Sequence, residues 1–532
     1  MFILFWYTNP KMDGNCQKGG PMKKAWYRKL FRRRILIALM IVLQAAFLLW
    51  LIISGSRTSQ WLNVLFSLIC MIAVLAVVTR KDKGAYKTMW VFLILLFPVF
   101  GGLLYIYYRC QSPTRQMRRD IEAAEAKARP LYLLPETGYD CAKETVGADF
   151  PQVRYLQDYV GYPVYQHTQT SYYSPGEKMM EALLPELEKA EKYIFLEYFI
   201  VQEGRFWDSI LEILKRKASQ GVEVRLLFDD MGCFFLLPVN YRQQMEEAGI
   251  SCGVFNPFRP FLTAKQNNRD HRKITSIDGK VAFTGGVNLA DEYINEVERF
   301  GHFKDSAVKL EGEAAWSLTL IFLQMWQVCQ GTDEDFAAFY PWKDTPCPVE
   351  NDGFVAPYAD HPLDTEHVGE HVYLQILNQA TDYVYIFTPY LVIDDSVLSA
   401  MCLAAKRGVD VRVITPHVPD KWYVHTTTRS YYRDLLEGGV RVYEYTPGFI
   451  HSKCFVSDDR IATVGTINLD FRSLYLHFEC GTWMWGSRAV GQLKQDVLDT
   501  LAISQEVTRE DCKVSVLKGF VQNVLRLFAP LM

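Results

Sequence analysis

Two stretches of the chain carry the same chemically capable residues at the same spacing. His271, Lys273 and Asp278 recur as His451, Lys453 and Asp458, both in the pattern HxKxxxxD, and the copies lie 180 residues apart. Each is followed by a glycine turn and an asparagine at one offset, Gly285-Gly286-Val287-Asn288 and Gly465-Thr466-Ile467-Asn468. Alternate side chains of a strand share a face, so the histidine and lysine of each copy are expected to point the same way. If the halves pack about a pseudo-two-fold axis, two imidazoles, two ammonium groups and two amides converge on one pocket. Such a pocket suits an anion, and a phosphodiester above all, because lysine and asparagine stabilise charge on the equatorial oxygens of phosphorus. One histidine can attack phosphorus while the other protonates the leaving alcohol, which divides one hard step into two easier ones. The pattern therefore predicts phosphodiester transfer through a phosphohistidine.

A lone histidine would be read as a satisfied structural residue; the pair, with matched lysines and asparagines, reverses that reading. The other histidines stay bland. His361, His367 and His371 lie in a polar linker, while His417, His425 and His477 lack a repeat partner, so none is given a role. The twelve cysteines are scattered singly, and no CxxC or His/Cys ligand spacing occurs, which points to reduced thiols and to no metal site.

The elements that must carry these residues alternate between short apolar runs and amphipathic ones. Tyr193–Val201 reads as a buried strand, Trp207–Ser219 as a helix and Val222–Phe228 as a strand; Tyr383–Phe387, Ser396–Arg407 and Val409–Ile414 repeat that order. In both halves a Gly-Val pair, Gly221–Val222 and Gly408–Val409, joins helix to strand as a C-cap glycine would. The fold expected is α/β: two duplicated halves over 151–345 and 346–510.

Ahead of them, Ile35–Ile53, Trp61–Val78 and Thr88–Tyr108 are apolar runs close to the roughly 20 residues that a spanning helix needs, so 35–108 is expected to be a membrane anchor of N-terminal transmembrane helices. The third run contains Pro98, Gly101 and Gly102, which leaves two or three crossings open. Basic residues from Lys23 to Arg34, in the segment 1–34, argue for a cytoplasmic N-terminus. A polar connector spans 109–150, and 511–532 closes the chain with an amphipathic helix fit for either membrane contact or core packing. The net charge of -3 hides a division. Residues 1–120 hold 18 Lys and Arg against three acids, a balance of +15, which leaves -18 on the remainder. That acidic remainder argues against a general nucleic-acid surface.

At these residues the chain resembles the phospholipase D superfamily, whose signature is the duplicated HxKxxxxD, and within it the bacterial cardiolipin synthases. The likeness runs from about residue 88 to the C-terminus. It includes Asn268-Arg-Asp-His271-Arg-Lys273, Gly285-Gly286-Val-Asn288-Leu-Ala-Asp291, Pro447-Gly-Phe-Ile-His451-Ser-Lys453 and Gly465-Thr-Ile-Asn468-Leu-Asp470-Phe-Arg472-Ser473. The resemblance implies two phospholipase D-like halves and a multi-pass enzyme of the bacterial cell membrane. Its reaction would condense two phosphatidylglycerol molecules into cardiolipin and glycerol with no cofactor. Water in place of the second lipid would make it a membrane-anchored phospholipase D-type phosphodiesterase.

By the same resemblance, Lys273, Lys453, Asn288 and Asn468 hold the phosphate, and Asp305 and Glu479 accept hydrogen bonds from the distal nitrogens of His271 and His451. His271 is the expected nucleophile and His451 the general acid and base. Asp278 and Asp458 rank as more structural than chemical. Thr466 stands where the family commonly has serine or a second glycine, and is expected still to permit a phosphate contact.

Overall fold

The computed structural model describes residues 57–97, 101–102, 104–106, 113–135, 137–258 and 264–532. The apolar run Ile35–Ile53, the basic segment before it and Pro98 lie outside them. The chain divides into two compact units.

The larger unit, residues 116–257 and 267–523, holds both copies of the motif and is built around two mixed sheets. In the first sheet the strands run in the order Thr168–Tyr173, Ala307–Gly312, Val281–Gly285, Lys273–Ile277, Tyr193–Tyr198, Glu223–Asp229, Ser251–Phe255. In the second the order is Phe354–Asp360, Glu479–Trp485, Ile461–Gly465, Cys454–Ser457, Tyr383–Phe387, Asp410–Pro416, Arg441–Tyr445, with Ser504–Glu506 added at the edge. The first seven strands of the second sheet match the first sheet one for one. The last three matched strands pair parallel and the rest antiparallel in both. The duplication read from the motifs is thus a duplication of architecture.

Local sequence explains the elements. Strands Tyr193–Tyr198 and Tyr383–Phe387 are buried at every position, as central strands covered on both faces must be. Helix Arg205–Ser219 turns Phe206, Trp207, Ile210, Ile213 and Leu214 inward at three- and four-residue spacing. After it, Gly221 at φ +92° reverses the chain into the next strand, and Gly408 does the same at +98°. Helix Ala314–Gln330 is buried from Ala314 to Trp326, with Trp316 and Phe322 wholly covered, and serves as a core element. It also packs on Phe354–Asp360, the first strand of the other half, as its counterpart Arg488–Ala502 packs on Thr168–Tyr173, where Gln492 accepts from the Tyr172 N–H and Asp496 from its hydroxyl.

The stretch expected to be a polar connector is partly core. Helix Pro113–Ala128 buries Met117, Ile121, Ala124 and Ala128, and the Leu131 carbonyl accepts from the Trp316 indole. Its apolar residues fall on one helical face, a periodicity its charged composition conceals.

The smaller unit comprises residues 1–115, 258–266 and 524–532. Helices Arg57–Val78 and Gly84–Leu96 pack through Cys70, Ala73, Val77, Met89, Trp90 and Ile94, and Phe528 and Leu531 from the C-terminus lie against that core. Their outer faces carry exposed Trp61, Leu65, Leu68, Ile72 and Leu75. Among the described residues, no helix is long and apolar enough to cross a membrane. The amphipathic C-terminal segment is helical over Val516–Leu527, with Val516, Leu517 and Phe520 exposed rather than packed.

Candidate active site

The site forms where each half holds the motif of the other. The segment leading to His271 pairs in parallel with the second half at Asp270 and Phe478, and the segment leading to His451 pairs with the first half at Ile450 and Lys304. The His271 N–H donates to the Phe478 carbonyl at 2.9 Å, and the His451 N–H to the Lys304 carbonyl at 2.7 Å. This reciprocal exchange is what a two-fold relation between the halves requires. Each histidine precedes its strand rather than lying in it, since the strands begin at Lys273 and Cys454. Each motif lysine curls back instead, its Nζ donating to the carbonyl of its own histidine.

The carboxylates are crossed as well. His271 Nδ1 lies 2.9 Å and 3.1 Å from the two oxygens of Glu479, and His451 Nδ1 lies 2.7 Å from Asp305 Oδ2. Both carboxylates are wholly buried. A Nδ1–H held by a carboxylate fixes the tautomer and leaves Nε2 with a free lone pair, the arrangement a nucleophilic or proton-shuttling imidazole needs.

Burial, then the ammonium groups of Lys273 and Lys453 and the other imidazole, hold His271 well below the ordinary histidine range. Burial and Lys453 bring His451 down to about 4 against the opposing pull of Asp305. Both rings are therefore neutral at neutral pH. Burial also lowers Lys273 to about 8 and Lys453 to about 7, although Glu479 and Asp305 favour their charged forms. For Asp305, burial alone would raise the carboxyl; His451 and Lys453 outweigh it and hold it below the usual range.

The matched asparagines differ. Asn288 accepts from the Ile200 N–H through Oδ1 and donates from Nδ2 to the Tyr293 hydroxyl at 2.8 Å, so one of its two amide hydrogens is committed. Asn468 is buried, and its Oδ1 has no partner among the described residues.

The motif aspartates face the backbone. Asp278 accepts from the N–H groups of Glu191, Lys192 and Tyr193, and Asp458 from those of Thr381, Asp382 and Tyr383. Each sits in the left-handed region at φ +53°, which aspartate tolerates, and each ties the turn after its motif strand to the start of the neighbouring central strand.

The chain is similar to known proteins over most of its length. The family described as "Cardiolipin synthase, PLD-like domain" matches residues 183–326 and 373–500, and that described as a phospholipase D-nuclease N-terminal segment matches 67–108. Cardiolipin synthase 2 of Bacillus cereus is 33% identical over 86% of this chain and 89% of its own. The chain belongs to the cardiolipin synthase family. An uncharacterised protein of Streptococcus mutans is 44% identical over 83% of this chain and 96% of its own. The crystal structure of a phosphatidylserine synthase from Haemophilus influenzae superposes with a TM-score of 0.54 at 14% identity, covering 71% of this chain and 97% of that one, and so shares its fold.

Two residues of the site in this cardiolipin synthase family member have neighbours that the sequence does not reveal. Thr466 was expected to reach the phosphate; its hydroxyl instead donates to Glu479 Oε2 and accepts from the Cys480 N–H. It anchors the carboxylate that orients His271. At the matching place in the first half, a Cβ on Gly286 would collide with the Asp305 carboxylate, so glycine is required there.

The second is His477, whose ring lies 5.6 Å from that of His271 and whose Nδ1 is 3.7 Å from Glu479 Oε1. It does have a counterpart. It stands two residues before Glu479 as Phe303 stands two before Asp305, and the Phe303 ring lies 5.5 Å from His451. The motif histidines recur at an interval of 180 and the carboxylates at 174, so the motif spacing does not reveal the correspondence. Among the described residues, His271, His477 and Glu479 are the group whose ligand atoms, all within 4.8 Å of one another, could hold a metal ion.

Proposed function

We propose that this chain makes cardiolipin by transferring a phosphatidyl group from one phosphatidylglycerol to the terminal hydroxyl of another, releasing glycerol. What carries the reading is the crossed pair of carboxylate-held imidazoles, His271 with Glu479 and His451 with Asp305, between two buried lysines. His271 Nε2 attacks phosphorus, and His451 passes a proton to the oxygen of the leaving glycerol as the P–O bond breaks. The substrate's phosphate favours the protonated form of that second imidazole, so the proton is taken up with the lipid. His451 then removes the proton from the incoming hydroxyl, a new P–O bond forms and His271 leaves. Lys273 and Lys453, with Asn288 and Asn468, balance the charge on the equatorial oxygens. Asp278 and Asp458 brace the motif from behind.

The smaller unit anchors this chemistry in the bacterial cell membrane as a multi-pass segment of two or three crossings. Its helix pair with exposed apolar outer faces supports that placement, as does the further apolar run at 35–53. The deciding experiment is incubation of the purified protein with phosphatidylglycerol alone. Cardiolipin and glycerol in equal amounts are expected; phosphatidic acid as the main product would make the chain a hydrolase instead.

A further inference from the structure

The two halves of the pocket differ most beside the histidines. Next to His451 stands Phe303, and at the matching place next to His271 stands His477. A buried phenylalanine asks nothing of its neighbours. A buried imidazole does, yet Nε2 of His477 has no hydrogen-bond partner among the described residues and Nδ1 reaches only Glu479, at 3.7 Å, although the side chain is only 11% exposed. A buried polar atom left unpaired is costly, and Nε2 marks a missing partner.

The Glu479 carboxylate lies between the two imidazoles, with Oε1 2.9 Å from His271 Nδ1 and 3.7 Å from His477 Nδ1. Two imidazoles and a carboxylate are a common donor set for Zn2+, which binds such atoms at roughly 2.0 to 2.2 Å and accepts three protein ligands with the fourth position open. The ligand atoms lie within 4.8 Å of one another, so contraction of the cluster by about an ångström would bring all three to bonding distance. Thr466 already holds the other oxygen of Glu479, as the supporting contact of a metal-bound carboxylate would.

We propose that His271, His477 and Glu479 form a Zn2+ site whose occupation takes His271 out of the reaction. The cation takes the lone pair of His271 Nδ1 beside Glu479, the ring's proton moves to Nε2, and that nitrogen then has no lone pair with which to attack phosphorus. The ammonium groups of Lys273 and Lys453 oppose the ion, so the site is one of reversible inhibition rather than of tight structural binding. The inhibition, though not the binding, rests on the reading of His271 as a catalytic residue.

The test uses the full chain in detergent with phosphatidylglycerol, and reads Zn2+ binding by calorimetry and turnover in parallel. Wild type is expected to bind one Zn2+ and to lose turnover over the same concentration range, with recovery on chelation. His477→Phe, which installs the ring type of Phe303, is expected to need at least tenfold more Zn2+ both for binding and for loss of turnover, the latter read against the variant's own rate without Zn2+. Co2+ in place of Zn2+ should give the visible absorption of a low-symmetry site in wild type only. No binding, or equal Zn2+ binding by wild type and His477→Phe, overturns the site. Binding that is lost in His477→Phe but leaves wild-type turnover intact overturns the inhibition, whereas the catalytic assignment of His271 falls only if His271→Ala keeps its turnover.

Discussion

Two imidazoles with separate carboxylate partners make a site in which neither ring can stand in for the other. His271→Ala and His451→Ala should each lower turnover by at least about a thousandfold, since residues acting as a unit lose nearly everything with one member. Near-normal turnover in either variant would contradict a shared site. The protonation states give the pH dependence its sign. A lysine is charged below its pKa and holds the phosphate there, so kcat/KM should fall as pH rises past Lys453 at about 7 and Lys273 at about 8. An imidazole is nucleophilic when neutral, and burial with the two lysines holds His271 well below the ordinary histidine range, so the acid limb should lie below that ordinary value. Lys453→Arg should move the alkaline limb upward if it remains active. A wild-type profile flat to pH 10 would show that the lysine charges do not matter.

At the scale of elements, what holds the motif in place is separable from what does chemistry. Asp278 takes three backbone N–H bonds at the turn after its strand, and charge-assisted bonds of this kind are each worth about 1.5 to 3 kcal/mol. Asp278→Ala should therefore cost stability, visible as a lower midpoint of denaturant unfolding, while the folded fraction keeps its pH profile. An altered profile in folded protein would give Asp278 a chemical role. Thr466→Val keeps the shape and removes the bond to Glu479, so it should lower kcat tenfold or more and affect KM little. The opposite split would place the hydroxyl on the substrate.

Much of this was legible in the sequence. The strand–helix–strand order, the two C-cap glycines and the motif residues needed only periodicity and spacing. The crossed partnership of each histidine with the other half's carboxylate was not, because it depends on how two sheets dock across 146 or 208 residues of chain. His477 was missed because its counterpart is a phenylalanine, so no identity in the repeat marks it. Helix Pro113–Ala128 was read as a connector because its charges outnumber the four small or apolar residues that face the core.

At the scale of the whole molecule, duplication has been turned into interdependence. The backbone of each motif is clasped by the opposite half, and the first strand of one half is covered by the last helix of the other. Neither half carries a complete site, because each supplies a histidine to one catalytic group and the carboxylate to the other. The two halves belong to one chain and one compact unit, so both histidines of a site are covalently linked. That arrangement fixes the outcome of mixing two dead variants. Co-expressed His271→Ala and His451→Ala chains should remain as inactive as either alone, since every site still lacks one imidazole. If cardiolipin synthesis returned on co-expression, to a quarter or more of the wild-type rate, halves would have to be exchanged between chains. The single-chain site would then be replaced by one assembled from two copies.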